Sequence, residues 1–408
     1  MKHVVVIGAG ITGVTTAYAL LKAGLKVTVI DKNRYAAMET SFANGGQLSA
    51  SNAEVWTNLG TIIKGLKWML RRDAPLLVNP SPSWHKYSWF TKFLLSVPSY
   101  EQNTIKTAEM AIEARQHMFD IAKDENIDFD LVKRGILHVY YDAPSLRAAE
   151  SVNELLRRGG LERRRVDPAE ISALEPALKG NFAGGYYTES DFTGDIHKFT
   201  RGLADACSKA GGKFLFGRQV EKIEHGPRII ISSSVEGEKE LEDIVADGVV
   251  ICAGVGSRRL ATMVGDSVDV YPVKGYSITV NLDSPEAEEG APWVSLLDEQ
   301  AKIVTSRLGS KRLRVAGTAE FNGENLDIRH DRTKPLIDWT IKRFPRVPTN
   351  SVVPWAGLRP MMPNMMPQVR SGKSENVFYN TGHGHLGWTL SCLTAELVSQ
   401  LIRTSLTK

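Results

Sequence analysis

The sequence predicts an α/β chain, α+β overall: a Rossmann-type nucleotide-binding domain joined to a second domain of antiparallel sheet. Three observations predict it. The chain opens on strand, glycine turn, helix and strand within its first thirty-one residues. Between residues 268 and 317 the apolar pattern changes from continuous runs to alternation. After residue 376 an apolar strand, a glycine-rich loop and a helix return.

His3-Val4-Val5-Val6-Ile7 is a β-branched apolar run, read as a buried strand, and it empties into Gly8-Ala9-Gly10-Ile11-Thr12-Gly13. Ile11, Val14, Ala17, Tyr18 and Leu21 then recur at the spacing of one helix face. Gly24 closes that helix, and Lys26–Ile30 form a second strand ending at Asp31. Gly8 permits the tight turn, Gly10 lets the backbone approach a pyrophosphate, and Gly13 lets the helix lie close to the sheet. The helix start presents free N–H groups and a positive dipole end to phosphates. The Asp31 carboxylate suits the two hydroxyls of an adenosine ribose and repels a 2′-phosphate, which disfavours NADP. FAD and NAD both remain at this point.

The chain has 408 residues, 42% hydrophobic and 24% charged, with a net charge of +4. This is an ordinary globular composition of two or three domains, and too weakly basic to predict nucleic-acid binding. Cys207, Cys252 and Cys392 are widely separated, so neither a disulfide framework nor a metal site is expected, and a reducing cytoplasmic setting is. The chain begins on its first strand, so no secretory leader is expected. No run approaches the roughly 18 apolar residues of a spanning helix.

Glu39–Gln47 is a polar, glycine-paired loop, either a surface turn or a loop lying on a cofactor; its place after the ribose-binding strand favours the second. Residues 59–72 mix large apolar residues with Lys64, Lys67, Arg71 and Arg72. Pro75, Pro80 and Pro82 break the chain before Trp84, Lys86, Tyr87, Trp89, Phe90, Lys92 and Phe93, and Asp73 is the only acid between Val55 and Tyr100. Two readings stand equally: helices at a membrane interface, or core-facing helices with surface lysines.

Further along, helices are expected over 104–124, 145–158, 195–210 and 334–344, and a short capped one near Val166–Ile171. Strands are expected at 135–141, 213–216, 219–223 and 249–254, with 184–187 as an edge strand and 236–242 as a hairpin turn. Alternation at Val268, Val270, Tyr271, Val273, Tyr276, Ile278 and Val280, and again from Ile303 to Val315, predicts half-exposed antiparallel strands able to wall a substrate pocket. Val377–Asn380 reads as a strand, Thr381–Gly387 as a glycine-rich loop, and Leu390, Leu393, Leu397 and Leu401 as one face of a final helix.

Five stretches in this order, Gly8–Asp31, Glu39–Gln47, Tyr271–Ser277, Gly357-Leu358-Arg359-Pro360 and Asn380–Thr389, resemble flavin-dependent D-amino-acid dehydrogenases. These lie within the superfamily of D-amino-acid oxidase, glycine oxidase and sarcosine oxidase. The resemblance covers essentially the whole chain. It implies FAD rather than NAD, held non-covalently because no cysteine falls at an evident attachment site. It also implies two discontinuous domains, an FAD-binding one (1–54, 144–262, 349–408) and a substrate one (55–143, 263–348).

Carried over by motif, Gly8, Gly10, Ile11, Thr12, Gly13, Asp31 and Lys32 would hold the ADP half of FAD, with Val220 near the adenine. Thr40, Ser41, Asn44, Gly45, Gly46 and Gln47 would run beside the pyrophosphate and isoalloxazine. Ala253 and Gly254 would also contact the cofactor. Gly382, His383, Gly384, Leu386, Gly387, Trp388 and Thr389 would line the flavin end, where a helix start stabilises negative charge. Arg359 would grip a substrate carboxylate bidentately, with Tyr276, Lys274 and His383 as further candidates.

The implied reaction is oxidative deamination of a D-amino acid by hydride transfer to flavin N5, with electrons passed to a quinone or respiratory-chain acceptor. Peripheral contact with the cell membrane's inner face would suit that acceptor. A glycine, sarcosine or other secondary-amine oxidase, and a flavin-binding subunit of a larger complex, are the alternatives. The stretch Met361-Met362-Pro363-Asn364-Met365-Met366-Pro367 departs from the family pattern: Asn-Met stands where an Asp-Gly turn is usual, and Arg370 where a glycine is.

Overall fold

The computed structural model describes residues 1–68, 74–235, 238 and 240–406, apart from the side chain of Leu66. Its first strand, His3–Ile7, is buried because neighbours pair with it on both edges: Lys26–Asp31 and Gly248–Ile251, both parallel. The six-stranded sheet runs Gln368–Ser371, Val377–Thr381, Gly248–Ile251, His3–Ile7, Lys26–Asp31, Lys213–Phe216, and only Gln368–Ser371 is antiparallel.

Layers on both faces explain the continuous apolar runs. Val4, Val6, Val27, Val29 and Val250 pack under the helices Ile11–Lys22, Ile196–Lys209 and Gly387–Leu406. Val5, Ile7, Ile30, Val249 and Ile251 meet Val220, Ile223, Ile229 and Ile231 of a three-stranded sheet, and Leu260. The helix Ile11–Lys22 is buried nearly all round, because Gly387–Leu406 and Ile196–Lys209 cover the side turned away from the sheet.

The second sheet has nine strands. Its order is Val352–Met361, Tyr271–Asn281, Arg312–Phe321, Ile303–Leu308, Ser295–Asp298, Ile136–Tyr140, Gly184–Thr188, Arg164–Val166, with Leu76–Val78 paired to Arg312–Phe321. The helix His330–Arg343 supports it, Leu336, Trp339 and the following Phe344 packing with Tyr276, Ile278 and Val315. The mixed α/β class holds.

Several expectations are corrected. Val352–Met361, Arg164–Val166 and Gly184–Thr188, assigned to FAD-binding segments, join the nine-stranded sheet. Gly184–Thr188 is not an edge strand, since it pairs on both sides. Tyr271–Asn281 is buried on both faces rather than half-exposed, because one face meets the helix and the other closes onto the first domain. The strand expected at Gln219–Ile223 is present, within Arg218–Glu224 of the separate three-stranded sheet. On the last helix Leu397 and Leu401 are exposed, and the buried stripe runs through Leu390, Leu393, Thr394, Val398 and Ile402.

The basic aromatic stretch divides into helices Leu59–Trp68 and Trp84–Leu95. Trp89 is buried among Tyr271 and Phe321, its Nε1–H donating to Met361 O at 2.9 Å. Lys86 is buried too, its ammonium donating to the carbonyls of Asn79 (2.5 Å) and Ser81 (2.6 Å). One face of the second helix is therefore core, while Trp84, Tyr87, Leu94 and Leu95 stay exposed, as do Leu59 and Ile63 of the first. Residues 69–73 of that stretch, and 236, 237 and 239 of the expected hairpin turn, lie outside the described residues. Among the described residues no helix is long and apolar enough to cross a membrane, and no cluster of metal-ligating side chains occurs.

Candidate active site

A cleft of about 1460 Å³ runs between the two sheets. Its first end is the glycine turn. Gly8 has φ +109°, and a Cβ there would lie 2.6 Å from Cys252 O; one on Gly13 would lie 1.8 Å from Gly8 O. Both positions exclude any side chain. At Gly10 the nearest atom to such a Cβ is Ser41 Oγ at 3.4 Å, so the backbone there faces open cleft. The helix behind it has no side-chain cap, and Ile11 N–H donates to Ser41 Oγ at 3.0 Å. These features fit a pyrophosphate.

The Asp31 carboxylate lines the same end, accepting from Ala9 N–H (2.6 Å) and from Asn33 N–H (2.8 Å); burial pushes its pKa up. Lys32, Val220, Ala253 and Gly254 also line it, and the Val220 carbonyl is held by Arg259 Nη2 at 3.0 Å.

The Glu39–Gln47 loop lies along the cleft floor. Thr40 Oγ1 donates to Leu358 O (2.7 Å), and Gln47 Nε2 to Ser295 Oγ (2.8 Å) and Leu296 O (3.0 Å). Asn44 and Gly45 line the cleft. Gly46 does not: its φ is +74°, and a Cβ there would come within 2.7 Å of Ser306, so it packs against the large sheet.

At the far end Gly382 and Gly384 have φ +77° and +59°, and Cβ atoms on them would meet Met362 Cγ at 2.5 Å and Met361 Sδ at 2.8 Å. The unusual methionines therefore pack directly behind this loop. Met365 takes φ +65°, so the turn keeps the left-handed geometry without its usual glycine, while Arg370 lies over the Tyr379 ring. His383 is buried, its Nε2 2.9 Å from Thr394 Oγ1, and burial pushes its pKa down to about 3. Gly387, Trp388 and Thr389 line the cleft; the buried Trp388 Nε1 has no hydrogen-bond partner among the described residues. Leu386 is corrected: it points into a core with Leu390 and Leu393.

Arg359 faces the cleft from Val352–Met361. Its Nη1 donates to Thr318 O at 3.1 Å, no acid pairs with it among the described residues, and burial pushes its pKa down to about 10. In the register, Val273 opposes Arg359, and Gly275 opposes Gly357. A Cβ on Gly275 would lie 2.4 Å from both terminal guanidinium nitrogens, so only glycine admits that side chain. Strand alternation then turns Lys274 to the opposite face. Lys274 is corrected as a pocket residue: fully buried, it donates to Asn325 Oδ1 (2.7 Å) and lies 3.7 Å from Glu320. Tyr276 touches the cleft wall, but its hydroxyl donates to Glu320 at 2.7 Å.

The sequence reading missed a polar group on the opposite wall. His138 Nε2 lies 3.1 Å from Ser51 Oγ, and its Nδ1 2.8 Å from Glu299 Oε1; Lys302 Nζ donates to Glu299 at 2.6 Å. Burial would raise the Glu299 pKa, but Lys302 and His138 overcome it and hold the carboxylate well below its usual range. Burial pushes His138 down to about 4. Tyr100 donates to Glu54 at 2.7 Å, and Tyr140 and Arg163 line the same wall. His385 Nε2 lies 3.1 Å from Asn52 O, its ring stacked on Trp56 at 5.0 Å. Apart from His385, which lies in the glycine-rich loop Thr381–Gly387, no periodicity or motif marks these residues.

A family model described as FAD dependent oxidoreductase matches residues 3–401. The chain belongs to that family. It is 60% identical to D-amino acid dehydrogenase 3 of Mesorhizobium japonicum, the match covering 100% of this chain and 98% of the relative. It is 40% identical to D-amino acid dehydrogenase of Dechloromonas aromatica, over 98% of this chain and 96% of the relative. Among solved structures, glycine oxidase from Geobacillus kaustophilus superposes with a TM-score of 0.78 at 20% identity, covering 99% of this chain and 95% of that one. L-proline dehydrogenase from P. horikoshii superposes at 0.76 and 15% identity, over 99% and 93%. The cofactor of this family of oxidoreductases is FAD, and the glycine cradle and open cleft accommodate it.

Proposed function

We propose that this FAD-dependent oxidoreductase deaminates D-amino acids oxidatively to 2-oxo acids and ammonia, its electrons passing to a quinone or similar respiratory acceptor. The substrate class rests on full-length likeness to D-amino acid dehydrogenases. The observation that carries the site is Arg359, a guanidinium facing the cleft with no acid partner among the described residues, seated over a glycine that makes room for it.

Gly8, Gly10, Ile11, Thr12 and Asp31 hold the ADP half of FAD. Lys32, Val220, Ala253 and Gly254 complete that end. Thr40 to Gln47 and the loop from Gly382 to Thr389 flank the remainder. Bound FAD supplies a two-electron acceptor for the Cα hydrogen. Arg359 clamps the α-carboxylate and so sets the Cα–H direction. Burial keeps His383 and His385 neutral at pH 7, so neither repels the substrate ammonium. His385 donates from Nε2 to Asn52 O, which leaves Nδ1 as an acceptor for an amine proton. Water then adds to the imino acid and expels ammonia.

The exposed Leu59, Ile63, Trp84, Tyr87, Leu94 and Leu95, with Lys64 and Lys67 near the first two in sequence, support peripheral contact with an anionic membrane surface.

Anaerobic mixing of the FAD-loaded chain with D- and L-amino acids tests the reaction. Flavin bleaching by D-enantiomers is expected, followed by fast reoxidation with a soluble quinone and slow reoxidation in air. Bleaching by glycine or sarcosine alone, or rapid peroxide formation, overturns the reading. Sedimentation with anionic vesicles tests the surface, and Trp84→Ser with Leu95→Gln should weaken it.

A further inference from the structure

Three consecutive carbonyls of the loop Glu39–Gln47 are tied to the nine-stranded sheet. Ala43 O accepts from Ser277 Oγ at 3.2 Å, Asn44 O from Arg314 Nη1 at 3.3 Å, and Gly45 O from Ser306 Oγ at 2.6 Å. The donors stand on three neighbouring strands, Tyr271–Asn281, Arg312–Phe321 and Ile303–Leu308. Register sets Ser277, Ala316 and Val304 in one row across that face, and Arg314 and Ser306 in the next. Glycines let the loop lie close to it: a Cβ on Gly45 would meet Val304 at 2.9 Å, and one on Gly46 would meet Ser306 at 2.7 Å.

The peptides here are trans, so each N–H points away from the carbonyl of its own peptide group. Anchoring the carbonyls on the sheet therefore turns the N–H groups of Asn44, Gly45 and Gly46 to the other side. Asn44 Oδ1 accepts the Gly46 N–H at 2.9 Å. The N–H groups of Asn44 and Gly45 have no acceptor among the described residues, and both residues are half-buried and line the cleft. Two adjacent donors are thus left for a ligand.

Their place along the cleft is set from both ends. Ser41 stands at the nucleotide cradle, where its hydroxyl accepts from Ile11 N–H at 3.0 Å. Ser277 stands two residues, about 7 Å, from Gly275 on the same strand face, and Gly275 lies beneath Arg359. The pair therefore lies between the pyrophosphate end and the carboxylate clamp, where a ring that takes a Cα hydrogen has to sit.

We propose that Ser277, Ser306 and Arg314 are positioning residues, which hold the Asn44 and Gly45 N–H groups as a fixed pair of donors to the flavin ring. Donors aimed where electrons gather favour the reduced ring, and they need no reorganisation because the sheet has already set them. The place of the ring rests on the Arg359 reading above; the redox effect does not depend on which amine is oxidised.

The test uses the FAD-loaded full chain, photoreduced anaerobically against a dye of known potential with no amino acid present. Wild type is compared with Ser306→Ala, Ser277→Ala and the double variant, and FAD dissociation is measured alongside. Released carbonyls let the donors turn away, so the double variant should disfavour flavin reduction about tenfold, or about 30 mV, the range of one hydrogen bond to a charged group. Each single variant should move the potential in the same direction, with FAD affinity that of the wild type. An unchanged potential overturns the proposal, and weaker FAD binding alone would assign the donors to the pyrophosphate. Loss of FAD from all three variants overturns it as well. A lowered potential in the variants of a chain that no D-amino acid reduces upholds the positioning role and overturns the proposed reaction.

Discussion

Gly275→Ala offers a direct test of the Arg359 assignment, because it alters the site without touching a charge. The added methyl would begin 2.4 Å from the Arg359 terminal nitrogens and 2.5 Å from its Cζ. Ordinary contact begins near 3.4 Å, so the guanidinium has to retreat by about 1 Å. It cannot retreat freely, since Nη1 is tied to Thr318 O at 3.1 Å. A displacement of about 1 Å in a positioning group costs roughly a hundredfold in rate, or about 2.7 kcal/mol of transition-state stabilisation. Flavin reduction by a D-amino acid, followed anaerobically, should therefore lose about two decades in kcat/KM, while FAD content and absorbance stay those of the wild type. The same change in an Arg359→Leu background should add almost nothing, because the group it displaces has gone. Activity within about twofold of wild type for Gly275→Ala, or full additivity in the double variant, would remove Arg359 from the substrate site.

Lys274→Met should cost stability and leave substrate KM unchanged: breaking its buried contact with Glu320 is expected to cost about 3 kcal/mol, read from urea unfolding. A large KM rise with unaltered stability would return Lys274 to the pocket. His383 gives a pH signature. Its folded pKa, about 3, lies below the ordinary 6.5, so the unfolded chain binds the proton first and stability falls as pH drops below 6.5. At pH 5 this amounts to about 2 kcal/mol, and His383→Asn should flatten the stability slope between pH 7 and 5 by that much. An unaltered slope would show that His383 is reached by solvent.

Much of the first domain was legible because its determinants are local. Gly8 is demanded by its own φ of +109° and Gly13 by an atom of the same turn, and the apolar runs report that both sheet faces are covered. The exit of Asp31 from the second strand follows from the same strand order. Less was legible where two distant segments decide. The last helix carries leucines at regular spacing, yet Leu397 and Leu401 face outward, because the stripe that its neighbours cover runs through Leu390, Leu393, Thr394, Val398 and Ile402. Likewise Gly184–Thr188 reads as an edge strand until Arg164–Val166 is seen beside it.

By itself, then, the sequence determined the nucleotide cradle, the parallel order around the first strand and the family, because spacing within some thirty residues and motif order specify them. Tertiary structure alone decided the substrate wall. Register between Tyr271–Asn281 and Val352–Met361 sets Gly275 beneath Arg359 and sends Lys274 to the other face. Ser51, His138 and Glu299 meet across separations of 87 and 161 residues. Hydrogen bonds of that range leave no periodicity in the chain, because their partners are brought together only by the pairing of strands that carry them.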